Sequence, residues 1–107
     1  MNEVAIGMSL PIFAYELARQ RLSKRHFIRA TTLAELYAPD AAVDAGYLDR
    51  VTSPEKVFDV AWAEADRLAG LAQPAFALTK QRAHAALVAD LRGSLEADLR
   101  GLTGLGG

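Results

Sequence analysis

The stretch APDAAVDAGYLDRVT (residues 38–52) decides how this chain is read. Tyr37-Ala38-Pro39 is a break, because a residue before proline is pushed out of the helical region. Asp40 is a candidate N-cap, and Gly46 sits where a helix of one to two turns ends on a left-handed residue. Beyond the glycine, apolar and polar residues alternate. Tyr47, Asp49 and Val51 fall on one side, and Leu48 and Arg50 on the other, the pattern of a short strand or extended segment.

The rest of the chain is helical in pattern. Residues 3–8 are mostly apolar and read as a second extended or irregular piece, punctuated by Gly7. Ser9 is a candidate cap, and Pro11 suits a first turn, where its missing N–H costs nothing. The helix PIFAYELARQRL (11–22) places Ile12, Phe13 and Leu17 inward, with Ala14 and Ala18 near them, and Glu16, Arg19 and Gln20 outward. Ser23 opens a second helix, Lys24 to Leu36, with a stripe of Phe27, Ala30, Leu33 and Ala34.

After residue 52, Ser53-Pro54-Glu55 combines a cap, a proline and an acid at a helix start. That helix runs to about Leu71, with Val57, Val60, Ala61, Leu68 and Leu71 on one face and Trp62 off its centre. Gln73-Pro74 breaks it. A long helix over 75–91 turns Phe76, Ala83, Leu87 and Leu91 inward, with Lys80 on the same stripe. Gly93 then reads as a stop, Ser94 as the cap of a last short helix, and TGLGG (103–107) as a frayed tail. Two extended pieces in a mainly α chain have no sheet to join, and buried backbone groups need partners. The pattern therefore predicts partner elements outside this sequence.

Composition narrows the function classes. Of 107 residues, 51% are apolar and 23% charged, with a net charge of −1 and no cysteine. A disulfide scaffold, thiolate metal sites and a cysteine nucleophile are excluded. The most basic stretch, RQRLSKRHFIR (19–29), does not make the domain basic, so no nucleic-acid partner is expected. No apolar run approaches a bilayer span and no signal peptide is visible, so a soluble cytoplasmic protein is expected, without a membrane partner. His26 and His84 lie far apart in sequence, with no second ligand at metal-binding spacing; both read as surface or rim residues, and no metal is expected. No nucleophile elbow occurs, and TGLGG precedes no helix and is no phosphate loop. Glu3, alone beside an apolar run, is either a solvated charge or a catalytic group.

The 38–52 stretch resembles a recurring piece of the crotonase superfamily, the enoyl-CoA hydratase/isomerase family. That piece has the form A-x-x-A-x-x-x-G-[LF]-[VL]-x-x-[VI]; here Ala41 or Ala42, Ala45, Gly46, Leu48 and Val51 stand at its places. NEVAIGM (2–8) looks like the family segment [PG]-E-x-x-[LI]-G. ELARQRL (16–22) looks like the helix after it, and residues 53–87 look like the C-terminal helices with their P-x-A-[LV]-x-x-x-K turn. The resemblance covers nearly the whole chain, in the family's order. It implies the C-terminal helical part of a crotonase-like α/β fold built on ββα repeats. Residues 1–52 would form the end of the core and 53–107 a C-terminal helical, oligomerisation part.

The resemblance also implies chemistry. The parent reaction is hydration or double-bond isomerisation of an enoyl-CoA thioester through an enolate, in fatty-acid metabolism. Glu3 would be the general acid/base, the coenzyme A thioester the substrate, and no covalently bound cofactor is implied. The backbone N–H groups that hold the thioester oxygen, and the glycine-rich helix start, have no counterpart in this sequence, so the chain alone is expected to be inactive. Lys80, Arg82 and the 19–29 stretch either meet the phosphates of coenzyme A or form a solvated helix face. Phe76, Leu87, Leu91 and Trp62 read as core or subunit contacts, since the family assembles as trimers or hexamers. The alternative is a non-catalytic helical module that self-associates or docks on relatives.

Overall fold

In the computed structural model, which describes residues 1–104 with side chains to Gly101, the 38–52 stretch folds around its glycine. Helix α3, Pro39–Ala45, carries its proline in the first turn. It ends in the two hydrogen bonds of a Schellman motif: Gly46 N–H donates to Val43 O at 3.2 Å and Tyr47 N–H to Ala42 O at 2.9 Å. Gly46 has φ +106°, and a Cβ there would lie 2.7 Å from the Arg21 carbonyl oxygen. Only glycine meets both the left-handed backbone and the close approach. Ser23 N–H donates to Ala45 O at 3.0 Å beside this contact, joining the end of α3 to the end of α1, Ile12–Arg21.

The expected extended pieces take other forms, and no strand occurs among the described residues. Glu3–Ile6 is a 3-10 turn closed by Gly7 at φ +79°. Residues 47–51 are irregular. The N–H groups of Gly46, Tyr47 and Leu48 converge on Ala42 O, and Arg21 Nη2 binds Asp49 Oδ1 at 2.7 Å. Helix-end carbonyls and a side chain thus take the place of a ladder.

The helix boundaries also differ from the pattern. Helix α2 spans Lys24–Ala30 rather than reaching Leu36. The Thr31 hydroxyl donates to Phe27 O at 2.7 Å, and Ala34 stands at φ +54°, so the chain leaves the helix and Leu33 is exposed. Helix α4, Val57–Ala69, follows a 3-10 turn at Pro54–Lys56, and Gln73 Nε2 donates to the carbonyls of Leu68, Ala69 and Leu71. Helix α5, Gln73–Gly104, runs unbroken through Gly93 and Ser94. A mid-helix glycine costs only about 1 kcal/mol, and Ser94 Oγ donates back to Leu91 O rather than capping a new helix. Of the expected tail, residues 105–107 lie outside the described residues.

Beyond Gly93, α5 carries Asp98, which is buried. Its carboxylate accepts from Ile12 N–H at 2.7 Å and Phe13 N–H at 2.8 Å. These are orphan donors of α1's first turn. None of the expected serine caps does this: Ser23 and Ser53 make no side-chain cap bond, and the residue before α1 is Pro11. Helix α1 runs antiparallel along α5, so Glu16, expected outward, is partly covered in a crevice with Ala83, Ala86, Leu87 and Asp90, while Arg19 and Gln20 at its edge are exposed as expected. Its covered residues are Ala18 and Leu22, packed with Ala30, while Ile12, Phe13 and Leu17 are exposed.

Little else is covered. The buried apolar residues among those described are Ala18, Leu22, Ala30, Ala42 and Ala45. Accessible surface is 8021 Å², where a compact monomer of this size exposes roughly 5,800 Å². The radius of gyration is 17.0 Å, against about 13 Å for a compact domain. Helix α4 has no buried residue; its Val57, Val60, Ala61 and Leu68 line an open groove of about 680 Å³ with Asp49, Arg50 and Thr52. Phe58 and Trp62 stack on each other at 5.9 Å, both exposed.

Two substitutions test these constraints by thermal or urea unfolding followed by circular dichroism. Asp98→Ala lowers stability by about 1–2 kcal/mol through loss of the remote cap. Gly46→Ala lowers it by roughly 2–4 kcal/mol, from left-handed strain plus collision with the Arg21 carbonyl.

Candidate functional site

Glu3 sits at the first position of the N-terminal 3-10 turn, half-buried among exposed Val4, Ile6 and Met8. Its Oε2 is buried and makes no hydrogen bond. A buried carboxylate oxygen without a partner is uncommon, because water is lost without compensation. The sequence left Glu3 open between a solvated charge and a catalytic group; the residue is half-buried, with one carboxylate oxygen covered.

Beside it lies an aromatic cluster that pattern reading missed. Met1, Phe27, Tyr37 and Tyr47 pack on Ala18, Leu22 and Ala30. Tyr15 and Phe27 meet edge to face at 4.9 Å, and Tyr37 touches Tyr47 at 5.6 Å between ring centres. Tyr37 donates to Glu35 Oε2 at 3.1 Å, which leaves its oxygen to accept from His26 Nδ1 at 3.2 Å. The other imidazole nitrogen faces Asp44 Oδ2 at 3.5 Å. His26 is therefore a largely covered bridge rather than a surface residue; its side chain is 13% exposed. His84 does lie exposed, on α5.

The electrostatics follow from this packing. Burial first, and then the negative charge of Glu3, push the Tyr47 phenol above its ordinary range. Burial and the Glu35 hydrogen bond do the same to Tyr37. The only sequence signal for the cluster was the spacing that brought Tyr37 and Tyr47 to the two ends of α3. Their convergence depends on Gly46 packing against α1.

Several arginines are held by carboxylates. Arg19 is held by Glu16 and lies 3.9 Å from Asp90, and Arg21 is held by Asp49. Glu64 draws Arg50 at 3.2 Å and Arg67 at 2.6 Å, which keeps its carboxyl below the usual range. Lys80 and His84 instead line an open, mostly apolar groove of about 570 Å³ with Leu71, Ala72, Ala75, Phe76, Thr79 and Ala83. No cluster of metal-ligating side chains occurs among the described residues. No helix among them is long and apolar enough to cross a membrane.

No protein-family model and no curated protein matches the chain. Solved structures do. An enoyl-CoA hydratase of Mycobacterium ulcerans superposes with a TM-score of 0.88 at 34% identity, over 95% of this chain and 45% of its own. A Mycobacterium tuberculosis protein, described in one structure as an enoyl-CoA isomerase and in another as a probable enoyl-CoA hydratase, gives 0.86 and 0.88 at 36% identity, over 92% and 99% of this chain and 44% of its own. An enoyl-CoA hydratase/isomerase family protein of Pseudomonas syringae gives 0.86 at 38% identity, over 91% and 42%. The chain thus spans less than half the length of the structures it matches, and it corresponds to their C-terminal, helical part. The glycine-hinged helix pair, the order of α1 to α5 and these superpositions agree: over most of its length the chain is similar to the C-terminal helical part of structures of the enoyl-CoA hydratase/isomerase family of the crotonase superfamily.

Proposed function

We propose that this chain provides the acid/base wall of an acyl-CoA site, with Glu3 as its proton-transferring group. The observation that carries the proposal is the covered, unpartnered Oε2 of Glu3, in a chain that superposes on enoyl-CoA hydratases and isomerases. A carboxylate screened from water by apolar neighbours can exchange a proton with carbon or with an attacking water. In isomerisation it would remove a proton from one carbon of the acyl chain and return it to another. In hydration it would act on the water that adds across the double bond. Both routes pass through an enolate, whose oxygen needs preorganised N–H donors. By resemblance, those donors belong to the half of the fold that this chain does not span. The substrate is then a coenzyme A thioester, and the setting fatty-acid metabolism in the cytoplasm.

The purified 107-residue chain is expected to leave crotonyl-CoA unhydrated in an absorbance assay; measurable turnover would overturn the requirement for a second half. Co-expression with the N-terminal half of the Mycobacterium ulcerans relative is expected to yield an assembly that hydrates or isomerises enoyl-CoA. In that assembly Glu3→Gln lowers kcat/KM by about 10²–10⁴-fold. Retained activity would remove Glu3 from the acid/base role.

A second reading has its own support. Twenty large apolar side chains are exposed among the described residues, many on α4 and α5, and large exposed apolar patches mark interaction surfaces. A non-catalytic helical module that self-associates or docks on relatives would use them. Light scattering after size exclusion is expected to give a multiple of the monomer mass, a trimer or hexamer by resemblance; a clean monomer counts against self-association.

A further inference from the structure

Helix α4 has two faces of different chemistry. Val57, Val60, Ala61 and Leu68 line the open groove beside residues 49–52, together with Glu64. Phe58, Asp59, Trp62 and Asp66 recur at helical spacing and share the opposite face. The two rings are exposed and stacked, 5.9 Å between centres and 16° from parallel. With the two aspartates they line a shallow depression of about 270 Å³. Neither aspartate is in an ion pair among the described residues, whereas Glu64 is held by Arg50 and Arg67. An exposed aromatic pair between unneutralised carboxylates suits a cationic partner, arginine above all, whose flat and weakly hydrated head stacks on rings.

Helix α2 carries the complement. Its inner side turns His26, Phe27 and Ala30 toward the molecule, and its outer side exposes Lys24, Arg25, Ile28 and Arg29. None of these three cations is in an ion pair among the described residues, whereas Arg19 and Arg21 just before them are held by Glu16 and Asp49. At 100° per residue Ile28 falls between the cations, as the stacked rings fall between the aspartates on α4.

We propose that the acidic, aromatic face of α4 is the docking surface for the basic face of α2 of a second copy of this chain. Ile28 meets the Phe58 and Trp62 rings, and the flanking cations reach Asp59 and Asp66. The lengths suit each other: Asp59 and Asp66 stand about 10 Å apart along their helix axis, and Lys24 and Arg29 about 7 Å, a difference that flexible side chains span. Charge complementarity selects this occupant, since opposite potentials steer encounter and fix register. The exposed area allows it. The chain shows 8021 Å², roughly 2,000 Å² more than a compact monomer of its size, and a standard interface covers about 800 Å² per partner. The two patches are different surfaces of one chain, so the contact repeats from copy to copy. The proposal deepens the self-association reading above and rests on it; it is independent of the role of Glu3.

The test uses the 107-residue chain, whose single tryptophan is Trp62, so its fluorescence reads this face directly. Trp62 emission is expected to shift to the blue as concentration rises, in step with the mass from light scattering after size exclusion. Sodium chloride at about 0.5 M reverses both, because exposed charges are screened. Asp59→Lys with Asp66→Lys, and separately Lys24→Glu with Arg25→Glu, each raise the dissociation constant about tenfold or more. Mixing the two variants restores association, since each supplies the face that the other has lost. Circular dichroism checks that the helices are kept; where a reversal variant loses them, the neutral Asn or Gln replacements at the same positions stand in, with the same direction expected. Wild-type association in either folded variant, or mixed reversal variants that stay monomeric, overturns the proposal. Association that persists with unshifted Trp62 emission removes this contact and spares self-association through another face. A monomeric wild-type chain removes both.

Discussion

Asp98 gripping the first turn of α1 is the contact on which the rest of the arrangement depends. Both carboxylate oxygens accept from backbone N–H groups 85 and 86 residues away in sequence. A helix N-terminus carries partial positive charge and unpaired donors, so a covered carboxylate there supplies hydrogen bonds and charge complementarity together. The contact fixes α1 antiparallel along α5. It thereby sets where α1 ends, and the Arg21 carbonyl at that end is the surface against which Gly46 packs. From Gly46 the chain turns to Tyr47, which packs with Met1, Phe27 and Tyr37 on Ala18, Leu22 and Ala30.

The same arrangement leaves much of the molecule unfinished as a core. Alanines make up most of the buried apolar set, while Phe58, Trp62, Leu33 and Leu36 stay exposed. Apolar area facing water is where a free chain loses hydrophobic stabilisation, and it is also what association recovers. The superposed relatives are more than twice as long as the matched region, which gives the open faces of α4 and α5 a physical context.

How much of this was legible depended on distance along the chain. Gly46 at a helix end acts within a few residues and was read correctly from 38–52; the helix start was read too late, with Asp40 as its cap, whereas Ala38 holds that place and Pro39 and Asp40 lie in the first turn. Asp98 as the cap of α1 was not legible, because nothing local marks an aspartate in mid-helix as the partner of N–H groups near residue 12. Gly93 and Ser94 look like a stop and a start by propensity. The helix passes through them at a cost of only about 1 kcal/mol for the glycine, and Ser94 Oγ bonds back to Leu91 O instead of capping a new helix. The end of α2 at Ala30 was hidden for a similar reason, since the Thr31 hydroxyl takes the Phe27 carbonyl and Ala34 accepts a left-handed conformation that pattern disfavours. Glu3 was singled out as an acid beside an apolar run. That its oxygen is covered and that Tyr47 and His26 stand in the neighbouring cluster follows only from packing.

By itself, then, the sequence determined the helical character, the glycine hinge at 46, the absence of cysteine chemistry and the resemblance carried by 38–52. Each rests on composition or on interactions a few residues apart. The tertiary structure alone decided the remote cap at Asp98, the continuity of α5, the replacement of expected strands by helix-end hydrogen bonds, and the packing of Tyr37 and Tyr47 with Phe27 on Ala18, Leu22 and Ala30. Each of these joins groups far apart in the chain, and such contacts leave no local pattern because their partners are chosen by packing rather than by spacing.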